Sequence, residues 1–190
     1  PITLRGFFYW SLRGSFKVLA LSGFTSILTG ITEVSAVLML GMLVDAALAS
    51  SSQSPLGDHL WLFGAGVLFF LVLRPIFFGI FSFMQTNVVT PNVSNLVLSR
   101  LHRWTLGQSV QFFDNDFAGR IAQKEMQTAR AVTDVVVEIL HTVLFALASV
   151  IGAALMLTSV DVSLTVGLCL WLLTYLALIK YFMPLIRKRS

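Results

Sequence analysis

The sequence has few charged side chains. Only 12% of its 190 residues are Asp, Glu, Lys or Arg, whereas 56% are apolar and the mean hydropathy is +0.85. Soluble domains carry about twice that share of charge. The composition therefore excludes an ordinary soluble domain and predicts an all-α integral membrane protein.

The residues that build disulfides, metal sites and phosphate loops are also scarce. Cys169 is the single cysteine, so an internal disulfide is excluded, and its apolar surroundings predict a small buried hydrophobic residue. His59, His102 and His141 lie far apart without an H-x-x-x-H pattern, so no metal site and no catalytic residue is predicted. No G-x-x-x-x-G-K-[ST] loop is present, so this chain is not expected to bind ATP phosphates or to be active alone.

Long apolar runs are what the sequence does have. A helix needs about 20 apolar residues to cross a bilayer. Four runs meet that requirement, at residues 18–44, 60–84, 135–157 and 162–183. The first two and the last two runs are joined by short links, whereas residues 85–134 form a long link between the second and third.

The basic residues are distributed unevenly around these runs. Of the 13 Lys and Arg residues, three precede the first run, five lie in the long link, four lie at the chain end, and Arg74 lies inside the second run. The positive-inside rule then predicts a multi-pass protein of the cell inner (plasma) membrane, with both termini and the long link cytoplasmic. Because membrane topology accounts for the excess of basic residues, we predict membrane lipid as a partner and do not expect nucleic acid to bind. The start at Pro1 and the basic end predict a piece of a longer protein.

The long link has the pattern of two helices that continue the second and third spans. Apolar residues recur at helical spacing on both sides of its middle. Pro91 interrupts the first stripe, so a kink or a break is expected there. The first stripe comprises Val89, Val93, Val97, Leu101 and Trp104. The second, weaker stripe comprises Ala122, Met126, Ala129, Thr133 and Val136.

Between the two stripes lies the polar turn QFFDNDFAGRIAQ, residues 111–123. Asp114 is suited to capping the start of a helix. Gly119 can adopt a backbone conformation that closes the turn and that most other residues disfavour. Phe112 and Phe113 are large apolar groups far from the predicted lipid. Such a pair indicates either a docking surface or a staple that holds the two helices together, and the pattern leaves both open.

The segment "LHRWTLGQSVQFFDNDFAGRIAQKEMQTARAVTDVV" resembles the first cytoplasmic loop of ATP-binding cassette (ABC) exporters of the bacterial half-transporter type. The resemblance rests on Phe112, Phe113, Asp114, Gly119 and Ile121 and extends along nearly the whole chain. It implies a type I exporter fold: four long transmembrane helices, the middle pair extended into the cytoplasm and joined by a short coupling helix. The coupling turn corresponds to residues 112–121.

The resemblance also implies the function and the parts that lie elsewhere. The chain is expected to be the N-terminal, substrate-translocating part of an ATP-driven exporter, without the fifth and sixth spans and without the ATPase domain. Its partners are then an ABC domain and a second transporter half, in a homodimer or heterodimer, while ATP and Mg²⁺ belong to the ATPase domain. The residues expected to transmit ATP-driven closure into alternating access are Phe112, Phe113, Asp114, Asn115, Gly119 and Arg120.

Several ionisable residues fall within or beside the predicted spans. Glu33 and Arg74 each lie roughly 21 Å from the outer loop along their helices. An ion pair that fixes helix register is the favoured interpretation, and a cavity lining is the alternative. Glu138 and His141, three residues apart, are candidates for a cavity-facing or proton-sensitive pair, or for groups that satisfy each other.

These four ionisable residues also support a second function. An ion- or proton-coupled secondary transporter needs polar groups at mid-membrane. Such a carrier does not need a long helical link with a docking-like turn, so the exporter is the preferred hypothesis. The residues that the carrier would use are Glu33, Arg74, Glu138 and His141.

Overall fold

The computed structural model describes residues 3–49, 60–114 and 118–187, and every regular element in these ranges is a helix. The predicted all-α fold is confirmed. The helices are α1 (Leu4–Leu12), α2 (Phe16–Ala49), α3 (Leu60–Leu106), α4 (Val110–Asp114), α5 (Ala118–Glu138 continuing through Ile139–Val143 and Leu144–Val160) and α6 (Val162–Arg187).

Four of these helices are long and apolar enough to cross a membrane. Their candidate spans are 34, 47, 42 and 22 residues long, against the about 20 that a bilayer requires. Each of the four predicted apolar runs lies within one of them, in α2, α3, α5 and α6. The second and third are about twice as long as a span needs, because the two halves of the long link continue them as helix.

The helix α3 passes through two prolines without a break. A proline lacks the N–H of a helical bond, and its ring collides with the carbonyl four residues earlier. A wider π-helical turn precedes each proline, at Phe69–Leu73 before Pro75 and at Met84–Val89 before Pro91. In these turns the N–H of Arg74 donates to the carbonyl of Phe69, five residues earlier. The helix accommodates each proline in this way, so the break considered at Pro91 does not occur.

A continuous apolar seam joins α3 to α5. Val89, Val93 and Val97 are completely buried, as the first stripe predicted. They share one core with Leu12 of α1 and with the facing residues of α5. Burial along the stripe decreases toward its C-terminal end, where Trp104 is 56% exposed. The α5 side of this core consists of Ala129, Val132, Val136 and Leu140.

The predicted stripe of α5 is only partly correct. Ala129, Thr133 and Val136 are buried, but Met126 is 49% exposed and Ala122 is exposed as well. The face that meets α3 passes through Ile121, which is buried, and through Glu125 and Thr128, which are half-buried. Because polar residues occupy this face near the turn, hydrophobicity alone pointed to the wrong side of the helix.

The chain divides into two compact units, Pro1–Ala148 and Ser149–Ser190. In the second unit Asp161 caps α6: its Oδ1 accepts from the N–H of Ser163 at 2.8 Å and from the Ser163 hydroxyl. These hydrogen bonds, with the hydroxyl contributing most, lower the pKa of Asp161. Cys169 is exposed, so its predicted burial is wrong. An apolar residue of a membrane helix faces lipid as readily as protein, so apolar surroundings did not determine its burial.

Candidate coupling site and intramembrane polar groups

The turn between the two long helices is compact. At the end of α3, the N–H of Gly107 donates to the carbonyl of Trp104 at 3.2 Å. The N–H of Gln108 donates to the carbonyl of Thr105 at 3.0 Å. The short helix α4 follows, with the N–H of Phe112 donating to the carbonyl of Ser109. We call residues 104–121, which join α3 to α5, the tip. From Trp104 to Phe112, three hydrogen bonds between backbone groups three residues apart make the described part of the tip compact.

Three aromatic rings form a cluster at the tip. The rings of Phe112 and Trp104 meet edge to face with centroids 6.5 Å apart, and those of Phe112 and Phe113 meet likewise at 5.4 Å. Phe112 also borders a cavity of about 350 Å³, together with Leu101 and Ile121. Phe112 therefore packs α4 against the end of α3.

The tip also presents apolar surface that the sequence analysis did not select. Leu106 is 67% exposed and Val110 is 77% exposed, and Trp104 beside them is 56% exposed. The signal that would have identified them is the position of two apolar residues, Leu106 and Val110, on either side of the polar turn Gly-Gln-Ser. Contiguous exposed apolar side chains at one end of a structure are typical of a contact surface. The tip thus has an aromatic cluster and, beside it, an exposed apolar surface.

The remaining residues predicted for the coupling turn lie at the two ends of its polar part. Gly119 and Arg120 are exposed in the first turn of α5. Asp114 is the last residue of α4, but its side chain and the whole of Asn115 lie outside the described residues. Ile121 is buried and anchors the start of α5 beneath the tip.

A polar contact between α3 and α5 next to the tip was not predicted. His102 Nδ1 of α3 lies 3.4 Å from Glu125 Oε2 of α5. The His102 side chain is 63% exposed, whereas that of Glu125 is 12% exposed. Glu125 Oε1 is buried and has no hydrogen-bond partner among the residues that the structure describes. This pair links the two long helices immediately below the tip.

Glu33 and Arg74 form the predicted ion pair. The Arg74 guanidinium binds both carboxylate oxygens of Glu33, with Nη2 at 2.9 and 3.1 Å and Nε at 3.4 Å. A two-oxygen contact of this kind restricts the orientation of both side chains. The pair joins α2 to α3, as the register hypothesis requires, and its side chains are still 39% and 37% exposed.

Glu138 and His141 do not pair. In the described part of the chain no ion pair joins them, and both are exposed. The imidazole of His141 instead stacks on Phe81 of α3, with centroids 4.7 Å apart and ring planes at 30°. A π-helical turn, Ile139–Val143, begins directly after Glu138. It changes the angular spacing on which the predicted i, i+3 contact depended.

A buried polar contact between α2 and α3 was missed. Gln85 is 4% exposed, and its amide nitrogen lies 3.1 Å from Ser22 Oγ and 3.5 Å from Ser26 Oγ. Because the partners lie 63 and 59 residues apart in sequence, no local pattern indicated the contact.

The chain has a relative among known proteins. The chain is 25% identical over 188 residues to an uncharacterised ABC transporter ATP-binding protein of Haemophilus influenzae. That alignment covers 96% of this chain and 30% of the relative, so the chain spans less than a third of the relative's length. No solved structure matches the chain.

The family comparison covers nearly all of the four apolar helices. Residues 19–190 match the ABC transporter transmembrane region, which includes the ion pair between α2 and α3, the seam and the tip. The match extends over far more than half of the chain, and the all-helical fold with four candidate spans agrees with it. By sequence and by architecture, then, this chain belongs to the family of ABC transporter transmembrane regions.

Proposed function

We propose that the chain is the N-terminal part of the transmembrane domain of an ATP-driven exporter, and that its tip receives force from an attached ATPase domain. The observation that carries this proposal is the pair of long helices, α3 and α5, joined by one buried seam that leads to an exposed apolar tip. Family membership supports the transport role, and the tip supports the way in which it is driven.

The lengths of the two helices support an extension well beyond the bilayer. At about 1.5 Å per residue, the 47 residues of α3 extend roughly 70 Å and the 42 of α5 roughly 60 Å. The hydrocarbon core of a bilayer is about 30 Å thick. Each helix therefore has about 30 Å or more to spare, and the positive-inside rule assigns that excess to the cytoplasm of a bacterial inner membrane.

The seam gives this extension the stiffness that force transmission needs. Val89, Val93 and Val97 are fully buried against α5, so one helix cannot slide along the other without exposing them. Near the tip, the contact of His102 with Glu125 and the ring of Phe112 continue the connection. A displacement of the tip is then passed to both spans rather than absorbed between them.

The exposed apolar surface at the tip needs a partner that covers it. In an ABC transporter that partner is the ATP-binding domain, which holds ATP and Mg²⁺, and no residue of this chain is assigned to either. A second transporter half, identical or related, completes the translocation path. ATP binding then brings two tips together, and the spans alternate between inward and outward access. The ATP-driven mechanism needs no ion-coupled step at Glu33, Arg74, Glu138 or His141.

The test is Phe113→Ala in the full-length protein. Truncating an aromatic residue in the centre of an interface weakens docking by about 2 kcal/mol. We expect the folded yield to be kept while ATP hydrolysis no longer drives the outward transition. Spin labels at Ala49, the described end of α2, report that transition through the distance between the two halves.

The matched control is Phe112→Ala. Phe112 contacts Trp104, so its loss is expected to lower the stability of the tip by about 1 kcal/mol. If Phe113→Ala instead lowered the folded yield as much as Phe112→Ala, and the remaining folded protein stayed fully coupled, the turn would be a staple alone. The proposal of a coupling site would then be wrong.

A further inference from the structure

A polar groove lies where α1 turns into α2 against the side of α3. Its volume is about 770 Å³, and the residues that give it its chemistry are Arg13, Ser15, Asn87, Asn92, Asn95 and Arg100. The corner between α1 and α2 depends on Gly14, whose φ of 106° is a conformation that other residues rarely adopt. The groove is thus built from three helices rather than from a single exposed surface.

The groove offers hydrogen-bond donors and positive charge. No acidic residue lines it, whereas two guanidinium groups and three asparagine amides do. Asn92 Oδ1 accepts from Ser15 Oγ at 2.7 Å, which leaves the Asn92 amide nitrogen without a partner among the described residues. The side chains of Asn87 and Asn95 likewise make no hydrogen bond within the part of the chain that the structure describes. Such a lining suits an anion with several acceptor oxygens.

Arg100 holds the groove in shape. Its guanidinium donates to the main-chain carbonyls of Trp10 and Arg13, at the end of α1. These carbonyls have no helical donor, so Arg100 satisfies them and ties α1 to α3. The positive charge of Arg100 is therefore fixed at the groove before any ligand arrives. Arg13, by contrast, is exposed and its side chain is available to a ligand.

The position of the groove along the helices indicates what the anion is. Ser15 lies just before the apolar run 18–44, and Asn87 lies just after the apolar run 60–84. Both runs therefore end at the groove, which puts it at headgroup depth in the bilayer placement proposed above. A second groove of about 370 Å³ shares Arg13 and Arg100 and adds Arg103, Trp10 and Trp104 to the lining. Basic and aromatic residues together are typical of a membrane interface that faces anionic lipid.

We propose that this groove binds the phosphate-containing headgroup of an anionic phospholipid from the leaflet on the side of the long link. The headgroup phosphate accepts from Arg13 and from the asparagine amides, and it bridges the α1–α2 corner to α3. The inference rests on the proposed placement in the bilayer but not on ATP coupling. It is tested without ATP, so failure of the coupling proposal leaves it intact.

The experiment measures lipid retention by the full-length protein with native mass spectrometry. Purified protein in an uncharged detergent is titrated with phosphatidylglycerol or with phosphatidylcholine of the same acyl chains. The test variant is Arg13→Gln, at the end of α1, and the control is Arg5→Gln, which removes the same charge from the start of α1 outside the groove. We expect Arg13→Gln to raise the Kd for phosphatidylglycerol about tenfold, equivalent to about 1.4 kcal/mol. Arg5→Gln should change it less than about twofold, because exposed charges are screened.

A second pair of variants keeps the test valid if Arg13→Gln folds poorly. Asn95→Asp puts a carboxylate into the groove, whereas Gln123→Glu adds the same charge on the exposed side of α5. Only Asn95→Asp is expected to lose phosphatidylglycerol. Equal losses in the test and control variants, or equally tight binding of phosphatidylcholine, would overturn the proposal. Displacement of the lipid by millimolar inorganic phosphate would assign the groove to free phosphate and also overturn it.

Discussion

Removing one partner of the Glu33–Arg74 pair is expected to destabilise the protein more than removing both. Arg74→Gln leaves the Glu33 carboxylate without its two-oxygen contact at 2.9 and 3.1 Å. An uncompensated charge costs about 3–5 kcal/mol when it is fully buried and less than about 1 kcal/mol on a surface. The two side chains are 39% and 37% exposed, but within membrane-spanning helices that exposure includes lipid and does not imply hydration. We therefore expect Arg74→Gln to cost at least about 2 kcal/mol. The double variant with Glu33→Gln is expected to recover at least half of this loss.

The assay is thermal unfolding of the full-length protein in detergent, followed by size-exclusion chromatography. A loss of about 2 kcal/mol lowers Tm by about 4–8 °C in a domain of 150–250 residues, and the shift is expected to be smaller in the longer full-length protein. Arg130→Gln, which removes an exposed charge from α5, is the control and should leave Tm nearly unchanged. A double variant no more stable than the weaker single variant would show that the two residues are not coupled. If Arg74→Gln kept its Tm but altered ATP-driven opening, the cavity-lining interpretation would replace the structural one.

Two further predictions concern the seam and the α1–α2 corner. Val93 is completely buried, so Val93→Ala should lower the free energy of unfolding by about 1.5–2.5 kcal/mol. The control Val135→Ala, at a site 44% exposed, should lower it much less in the same thermal-unfolding assay. Gly14 has a φ of 106°, so Gly14→Ala should cost about 1–2 kcal/mol. Gly119→Ala, where an added Cβ meets nothing within 4 Å and φ is not positive, should leave Tm within about 1 °C or raise it. Equal effects of the two glycine substitutions would contradict the strained corner.

The sequence predicted the features that repeat along one helix. Four apolar runs located the spans, and the regular spacing of Val89, Val93 and Val97 identified the side of α3 that is completely buried. The same reasoning failed on the first turns of α5. There the buried face carries Glu125 and Thr128, and Met126 points away from α3. Periodicity of apolar residues identifies a packed face only where that face is apolar.

The sequence could not predict the features that depend on a partner from another helix. Glu33 and Arg74 were matched because each is a rare charge at a similar depth in neighbouring antiparallel spans, so few alternatives existed. The partner of Gln85 could not be chosen in this way, because a neutral amide can hydrogen-bond to many polar groups and Ser22 lies 63 residues away in sequence.

The π-helical turns explain a second kind of error, because they alter which side chains share a face. Glu138 and His141 are neighbours on an ideal helix, but the turn Ile139–Val143 intervenes and His141 stacks on Phe81. The other two π turns in the described residues each precede a proline and so have a local cause, whereas no proline follows this one within α5. Its consequence is still physical: each wider turn rotates the residues beyond it relative to those before it. An i, i+3 contact is therefore expected only within a helical segment that contains no such turn, so residues on the two sides of Ile139–Val143 in α5 do not keep the spacing of one ideal helix.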